Sequence, residues 1–341
     1  MMPYMPIVRT RAAELRGLRE LTTSVRDSLF PVVELTRSRR SSKNPGGDVQ
    51  KSIDALLEIL GSRPFVADLT SLASQQNGEF GQLLDDADAF QAWTDFASQR
   101  LPPSCVPIVH LLDPFDEVEF RTQVTRLLAV FHQVAVRIPT SYMELPAVVT
   151  AFQAELGSLD RVVMVLDAGY VTSKTVQGAI GRLSEMVGNL ADHTLASLSV
   201  ASSSFPNSVT SVGGGDEQGE LRLAEVTVGD ALAPLRGDLR YGDYAAIHPL
   251  DFIGMVANWV PRVDVMLDDR FYYHRHRRTA GGYIRAAAEA RRDQRWKPLQ
   301  CWAQENIDAA AAGAAKGLSP SFWISNRVNF HISRQVTRLD R

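Results

Sequence analysis

Short apolar runs that close on a polar or charged residue recur along the first three quarters of the chain. They read Met5-Pro-Ile-Val-Arg9, Pro31-Val-Val-Glu34, Pro64-Phe-Val-Ala-Asp68, Val106-Pro-Ile-Val-His110, Val134-Ala-Val-Arg137, Val162-Val-Met-Val-Leu-Asp167, Leu195-Ala-Ser-Leu-Ser199, and Tyr241-Gly-Asp243 onward to His248. A strand covered by helices on both faces of its sheet is apolar at every position. The segments between the runs have helical spacing. In 116–132, for example, Phe120, Val124, Leu127, Leu128 and Phe131 share one side. Asp48 is placed to cap a helix carrying Ile53, Leu56 and Leu60. Eight such units in series predict an α/β fold, a (β/α)8 TIM-like barrel over residues 1–250.

Past Pro249 the pattern changes. Residues 263–278 predict an extra strand or hairpin with a basic tip, and helices are expected near 283–296 and 301–315. An aromatic tail follows at 322–331. Residues 251–341 are read as a C-terminal elaboration, packed on the barrel and roofing part of its mouth. The polar stretch 216–236 is expected to hold the seventh helix.

Composition narrows the picture modestly. In 341 residues, 45% are apolar, 22% are charged, and the net charge of −3 exerts no global pull toward nucleic acid or acidic membrane. Cys105 and Cys301 stand alone, without zinc-site spacing. The opening residues lack a basic start followed by an apolar stretch, and no run approaches the ~20 residues that cross a bilayer. A soluble, cytoplasmic protein without a membrane partner is expected. There is no nucleotide P-loop, dinucleotide fingerprint or nucleophile elbow.

Chemistry is expected where strands end. Arg9, Glu34, Asp68, His110, Arg137 and Asp167 close successive runs, with Asp243, His248 and a serine at 199 or 202 as further members. Glu34, Asp68 and Asp167 could hold a divalent cation such as Mg²⁺ through oxygen ligands. Alternatively, one carboxyl with a raised pKa could act as acid and another as base, with His110 as a further catalytic candidate. Arg9 and Arg137 would clamp an anion, joined by Arg37, Arg39, Arg40 and Lys43 in the loop after the second strand. Polar strand ends also arise simply because they meet water. Arg270, Tyr273, Arg275 and Arg277 alternate aromatic and basic character, which suits single-stranded nucleic acid or a protein partner. A plain amphipathic hairpin has the same composition.

The opening Tyr4-Met-Pro-Ile-Val-Arg-Thr-Arg-Ala-Ala-Glu-Leu, the run Pro31-Val-Val-Glu-Leu-Thr-Arg37, Val66-Ala-Asp-Leu, and Gly242-Asp-Tyr-Ala-Ala-Ile-His-Pro249 resemble the phage "beta protein" family. So does the later pattern of Trp296, Cys301, Trp323, Asn329 and His331. The resemblance spans nearly the whole chain. It implies a phage or bacterial setting, at times beside defence-type genes, and transfers no catalytic residue. Two functions are therefore expected. The first is a barrel in an anti-phage defence context whose mouth binds a phosphate-bearing ligand, a nucleotide or nucleic-acid end, with metal-dependent phosphoester hydrolysis as the chemistry open to it. The alternative is a non-catalytic component of a defence system that uses the barrel as scaffold and docks a protein or nucleic acid through 270–278.

Overall fold

The computed structural model describes residues 4–251 and 259–341. The first three residues of the opening stretch and residues 252–258 of the C-terminal elaboration lie outside the described residues. The apolar runs form strands β1 (Ile7–Arg9), β2 (Val32–Leu35), β3 (Phe65–Leu69), β4 (Cys105–Pro107), β5 (Val134–Pro139), β6 (Leu159–Tyr170) and β7 (Leu195–Ser203). Then come β8 (Gln218–Arg222), β9 (Leu239–Asp243), β10 (Arg262–Met266) and β11 (Arg270–Arg275). Helices lie between the parallel strands, among them Ala12–Arg19, Val49–Leu60, Glu117–Leu128 and Val176–Gly188. Asp48 caps Val49–Leu60 by accepting from Lys51 N at 3.2 Å, and Asp116 caps Glu117–Leu128 by accepting from Glu119 N at 3.0 Å.

The fold is mixed α/β with parallel sheets. As ladders these are two open four-stranded sheets, ordered β1-β2-β3-β4 and β5-β6-β7-β9, every pair parallel. Their valines, leucines and isoleucines are almost all shut off from water, as continuous apolar runs require. The edges of the two sheets approach each other twice. Ile108 bridges Ala135 in parallel and Val109 N donates to Ala135 O at 2.7 Å; across the other edge, Met5 N donates to Tyr241 O at 3.0 Å.

A third sheet is antiparallel, in the order β10-β11-β8. The hairpin of β10 and β11 occupies the segment that predicted one. Strand β8 arises inside 216–236, where only a helix was expected, and the helix there is confined to Ala224–Leu232. A solvent-edge strand of polar residues has no apolar run to announce it. Gly219 in β8 is required by contact, because a Cβ there would stand 2.6 Å from the Tyr273 hydroxyl. Strand β9 stops at Asp243, earlier than the pattern through Ile247 suggested. The chain turns there through left-handed backbone at Ala245 (φ 48°) and Ala246 (φ 59°), a conformation that costs a non-glycine residue about 1–2 kcal/mol.

The C-terminal helices are Gly282–Arg292, Trp302–Ala311 and Pro320–Leu339. The last contains the aromatic tail. It crosses Ala12–Arg19 so closely that a Cβ on Gly17 would lie 2.8 Å from Val328 Cγ1. Asn329 secures the crossing: its Nδ2 donates to Gly17 O at 3.2 Å, and its Oδ1 accepts from Ala303 N at 3.1 Å. Among the described residues, no helix is long and apolar enough to cross a membrane.

Gly17→Val should wedge these two helices apart and destabilise the protein by about 1–3 kcal/mol, the usual range for overpacking. The midpoint of denaturant unfolding checks this; an unchanged midpoint would contradict the close crossing.

Candidate functional site

Parallel pairing in register sets the strand ends side by side. Arg9 is level with Glu34 and Glu34 with Asp68, while Asp167 lies across from Pro139, two residues beyond Arg137. The side chains meet around the guanidinium of Arg137. Its Nη1 donates to Glu34 Oε1 at 2.8 Å and Asp68 Oδ2 at 2.9 Å; its Nε donates to Asp167 Oδ2 at 2.9 Å. Its Nη2 donates to the Tyr244 hydroxyl at 2.6 Å, and that hydroxyl donates to Asp167 Oδ2 at 2.6 Å. Arg9 completes the set: Nε donates to Glu34 Oε2 at 2.8 Å, and its Nη atoms donate to the carbonyls of His248 and Pro249.

The two central carboxyls on β2 and β3 respond in opposite directions. Burial pushes Glu34 up, but Arg137 and Arg9 outweigh it and hold its pKa below the usual carboxylate range. Burial also pushes Asp68 up and Glu34 adds repulsion; Arg137 and a hydrogen bond from Leu69 N oppose them without prevailing, and its pKa stays raised. Burial, helped by Asp167 and Glu34, keeps Tyr244 a phenol. Tyr244 was missed in the sequence because it lies in a run that reads as strand, with its role set by the turn after Asp243.

A divalent ion needs carboxylate oxygens with lone pairs to spare. Here one guanidinium already takes an oxygen from each of Glu34, Asp68 and Asp167, in the space a shared ion would need. Among the described residues, no group of three His, Cys, Asp or Glu is arranged to hold a metal. These residues do not fit Mg²⁺.

Other predicted members lie elsewhere. The His110 ring packs on Phe90 and Trp93, and burial pushes its pKa down to about 4, so it is neutral at physiological pH and has no acid beside it. Asp243 is fully buried away from Arg137. It accepts from the hydroxyls of Tyr4 and Tyr241 and from Ala245 N, and lies 2.7 Å from His331 Nε2. It anchors the Pro320–Leu339 helix to β9. The His248 ring lies 2.9 Å from Phe205 O and packs edge-on to Tyr170.

Beside the cluster opens a cavity of about 1140 Å³, between the loops after β1, β2 and β7 and the C-terminal elaboration. Among the described residues, nine arginines line it against three acids, Glu14, Asp251 and Asp264. Arg9, Arg37, Arg39, Arg40 and His248 are on its wall, whereas Lys43 is exposed outside it. Arg37 has its pKa lowered by burial and then by the like charges of Arg40 and Arg11. The opening turns of Ala12–Arg19 and Pro320–Leu339 also face the cavity, adding the partial positive charge of helix N-termini. Nothing in the spacing of Arg11, Arg16, Arg262 and Arg327 groups them with that loop.

The segment 270–278 is less available than its alternation suggested. Strand β11 is the middle strand of its sheet, and Tyr273 is buried with its hydroxyl donating to Gly215 O at 2.7 Å. Arg270 pairs with Glu220 and Asp269, and Arg275 pairs with Asp216 while lining the cavity. Of the four, only Arg277 is fully exposed.

A family model described as "Beta protein" matches residues 4–337. Protein beta of Enterobacteria phage P4 is 27% identical to this chain, in an alignment covering 98% of the chain and 92% of the phage protein.

Arg137→Met should leave three buried carboxylates facing only Arg9 and cost about 3–5 kcal/mol at neutral pH. In the native protein, the lowered pKa of Glu34 gives stability above the ordinary Glu value, lost as pH falls through the folded value. Without Arg137 the folded pKa values rise, so folding is favoured below the ordinary values and weakened as pH climbs through the raised ones. The deficit of the variant, read from unfolding midpoints, should therefore shrink between pH 7.5 and 5. A deficit independent of pH would contradict the charge pairing.

Proposed function

The chain belongs to the Beta protein family, and from that premise we propose that it is a binding protein of phage–host conflict whose cleft takes a phosphate-bearing ligand. The observation that carries this is the excess of nine arginines over three acids around one cavity, with Arg37 crowded by like charges. Like charges held together at a partly buried surface are costly unless an anion joins them. Arginine suits phosphate because its planar fork donates two parallel hydrogen bonds. That a phage encodes a relative supports the phage–host setting. The carboxylates at the strand ends already have their oxygens engaged by Arg137, so the reading is one of binding, with no hydrolytic step assigned.

The two parallel sheets belong, in this reading, to one closed (β/α)8 barrel. The Ile108–Ala135 bridge and the Met5–Tyr241 hydrogen bond are its two seams. Closure explains why acids from both sheets meet one guanidinium. The C-terminal segment is then the wall that turns the barrel mouth into a cleft.

Two measurements follow. Hydrogen exchange should find the amides of Met5 and Val109 protected to the same order as interior ladder amides such as Val66; rapid exchange at either would mean an open edge. For the cleft, single-stranded DNA, a nucleoside triphosphate and inorganic polyphosphate are the probes. At least one should bind, with affinity falling steeply with salt. Arg39→Glu with Arg40→Glu should weaken it by about tenfold or more, since each lost charge-assisted contact is worth roughly 1.5–3 kcal/mol. Absence of saturable binding by all three, or indifference to the reversal, would overturn the reading.

A further inference from the structure

The cleft has a depth gradient in its basic residues. Arg39 and Arg40 are exposed at the loop, whereas Arg262 and Arg327 lie in the wall beneath, with side chains 18% and 10% accessible. Those two share one carboxylate, Asp264, itself 5% accessible: Arg262 Nη2 donates to Oδ2 at 3.1 Å and Arg327 Nη1 to the same atom at 3.3 Å. Arg327 lies over the Phe205 ring at 4.2 Å, with Arg262 at 5.9 Å, so both guanidinium groups border one aromatic wall. Buried Arg327 Nε has no hydrogen-bond partner. Arg275, opposite Arg262 in the hairpin register, adds a third cation whose acid, Asp216, stands in open solvent. Glu14 is the other acid near Arg327, and its Oε2 already accepts from Arg9 N at 2.7 Å. The floor of the cleft thus carries two arginines on one carboxylate and an unused donor.

A recessed site of this kind selects by shape as well as charge. An internal phosphodiester needs a path for the chain on both sides, and a buried floor gives only one. A terminal phosphomonoester needs one path and carries nearly twice the charge of a diester. The cavity is also larger than the ≈ 300–1,000 Å³ typical of small-ligand sites. Arginines extending from the floor to the exposed loop suit a ligand with phosphates in series. Resting on the phosphate-ligand reading above, we propose that the cleft binds the phosphorylated end of a single-stranded nucleic acid. Arg262 and Arg327 hold the terminal phosphate, and Arg39 and Arg40 hold the diesters that follow.

The test uses the full chain and labelled single-stranded oligonucleotides of about twelve nucleotides, within the span such clefts cover. They carry a phosphate at the 5′ end, at the 3′ end, or at neither. One phosphorylated end should bind at least about tenfold tighter than the unphosphorylated strand, the scale of one charge-assisted contact pair. Arg327→Gln and, on a separate element, Arg262→Gln should each erase that preference while leaving the unphosphorylated strand nearly unaffected. Arg40→Glu should weaken all three strands alike. Circular dichroism and thermal unfolding identify any variant that fails to fold, and the comparison of strands on the native protein stands without the variants. Equal affinity for all three strands, or an end preference that survives both glutamine variants, would overturn the terminal-phosphate site and leave the cleft reading intact. Binding of polyphosphate or nucleoside triphosphate but no oligonucleotide would do the same. Failure of every phosphate probe would remove both.

Discussion

The guanidinium of Arg137 is the point on which the strand ends depend. It donates to acids from β2, β3 and β6 and to the tyrosine after β9. At an effective dielectric near 20, an ion contact of about 3 Å is worth on the order of 5 kcal/mol before desolvation. Desolvation opposes this with several kcal/mol per ion. The balance works only if every donor is used, and here one planar fork meets four acceptors. Such a cluster also fixes height. A one-residue slip of β2 or β3 would turn Glu34 or Asp68 to the other face of its sheet and leave a buried charge without its partner. The cluster therefore specifies register as well as contributing stability.

The same saturation leaves every carboxylate oxygen of Glu34, Asp68 and Asp167 with a donor. A carboxylate committed to arginine is a poor metal ligand and a poor base. The cleft beside it has the opposite economy. Among the described residues Arg39 and Arg40 have no acid partner, although Arg9 and Arg275 are paired with Glu34 and Asp216. Arg9 joins the two regions, since its guanidinium serves Glu34 and the carbonyls of His248 and Pro249 while its side chain lines the cleft. An anion in the cleft would lie next to a closed network rather than inside it.

Legibility in the sequence followed burial. Strands β1 to β7 are largely apolar, and Arg9, Glu34, Asp68, Arg137 and Asp167, at or within three residues of their carboxyl ends, were recognisable because they interrupt the apolar run. Four of those five meet Arg137 or are Arg137 itself, and Arg9 reaches it through Glu34. His110 and Asp243 have the same sequence signature but a different fate. The turn after β9 sends Asp243 outward to Tyr4, Tyr241 and His331 and brings Tyr244 inward. No periodicity encodes which neighbour points where when the strand ends at Asp243 rather than Ile247. The cleft was half visible: the loop 36–47 announced its arginines, but Arg262 and Arg327 come from elements more than two hundred residues away.

The Pro320–Leu339 helix shows why the rest was hidden. Its buried positions include Ser325, Asn326, Asn329, His331, Ser333, Arg334 and Gln335, which lie all around the helix. A helix read by apolar spacing would present those positions to water. They are buried because many of those side chains complete a bond that another element leaves open. Asn329 serves Gly17 O and Ala303 N; Arg334 donates to the carbonyls of Met266 and Lys297; Gln335 donates to Asp268 O. His331 contacts Asp243, and Arg327 contacts Asp264. Buried polar groups cost little when satisfied and much when orphaned. This helix thus recognises its site by hydrogen-bond pattern rather than by apolar area alone. That dependence fixes its azimuth, and the azimuth is what aims Arg327 at Phe205 and the floor of the cleft. The polar core of the C-terminal segment and the basic character of the cleft are consequences of one helix being held in one orientation.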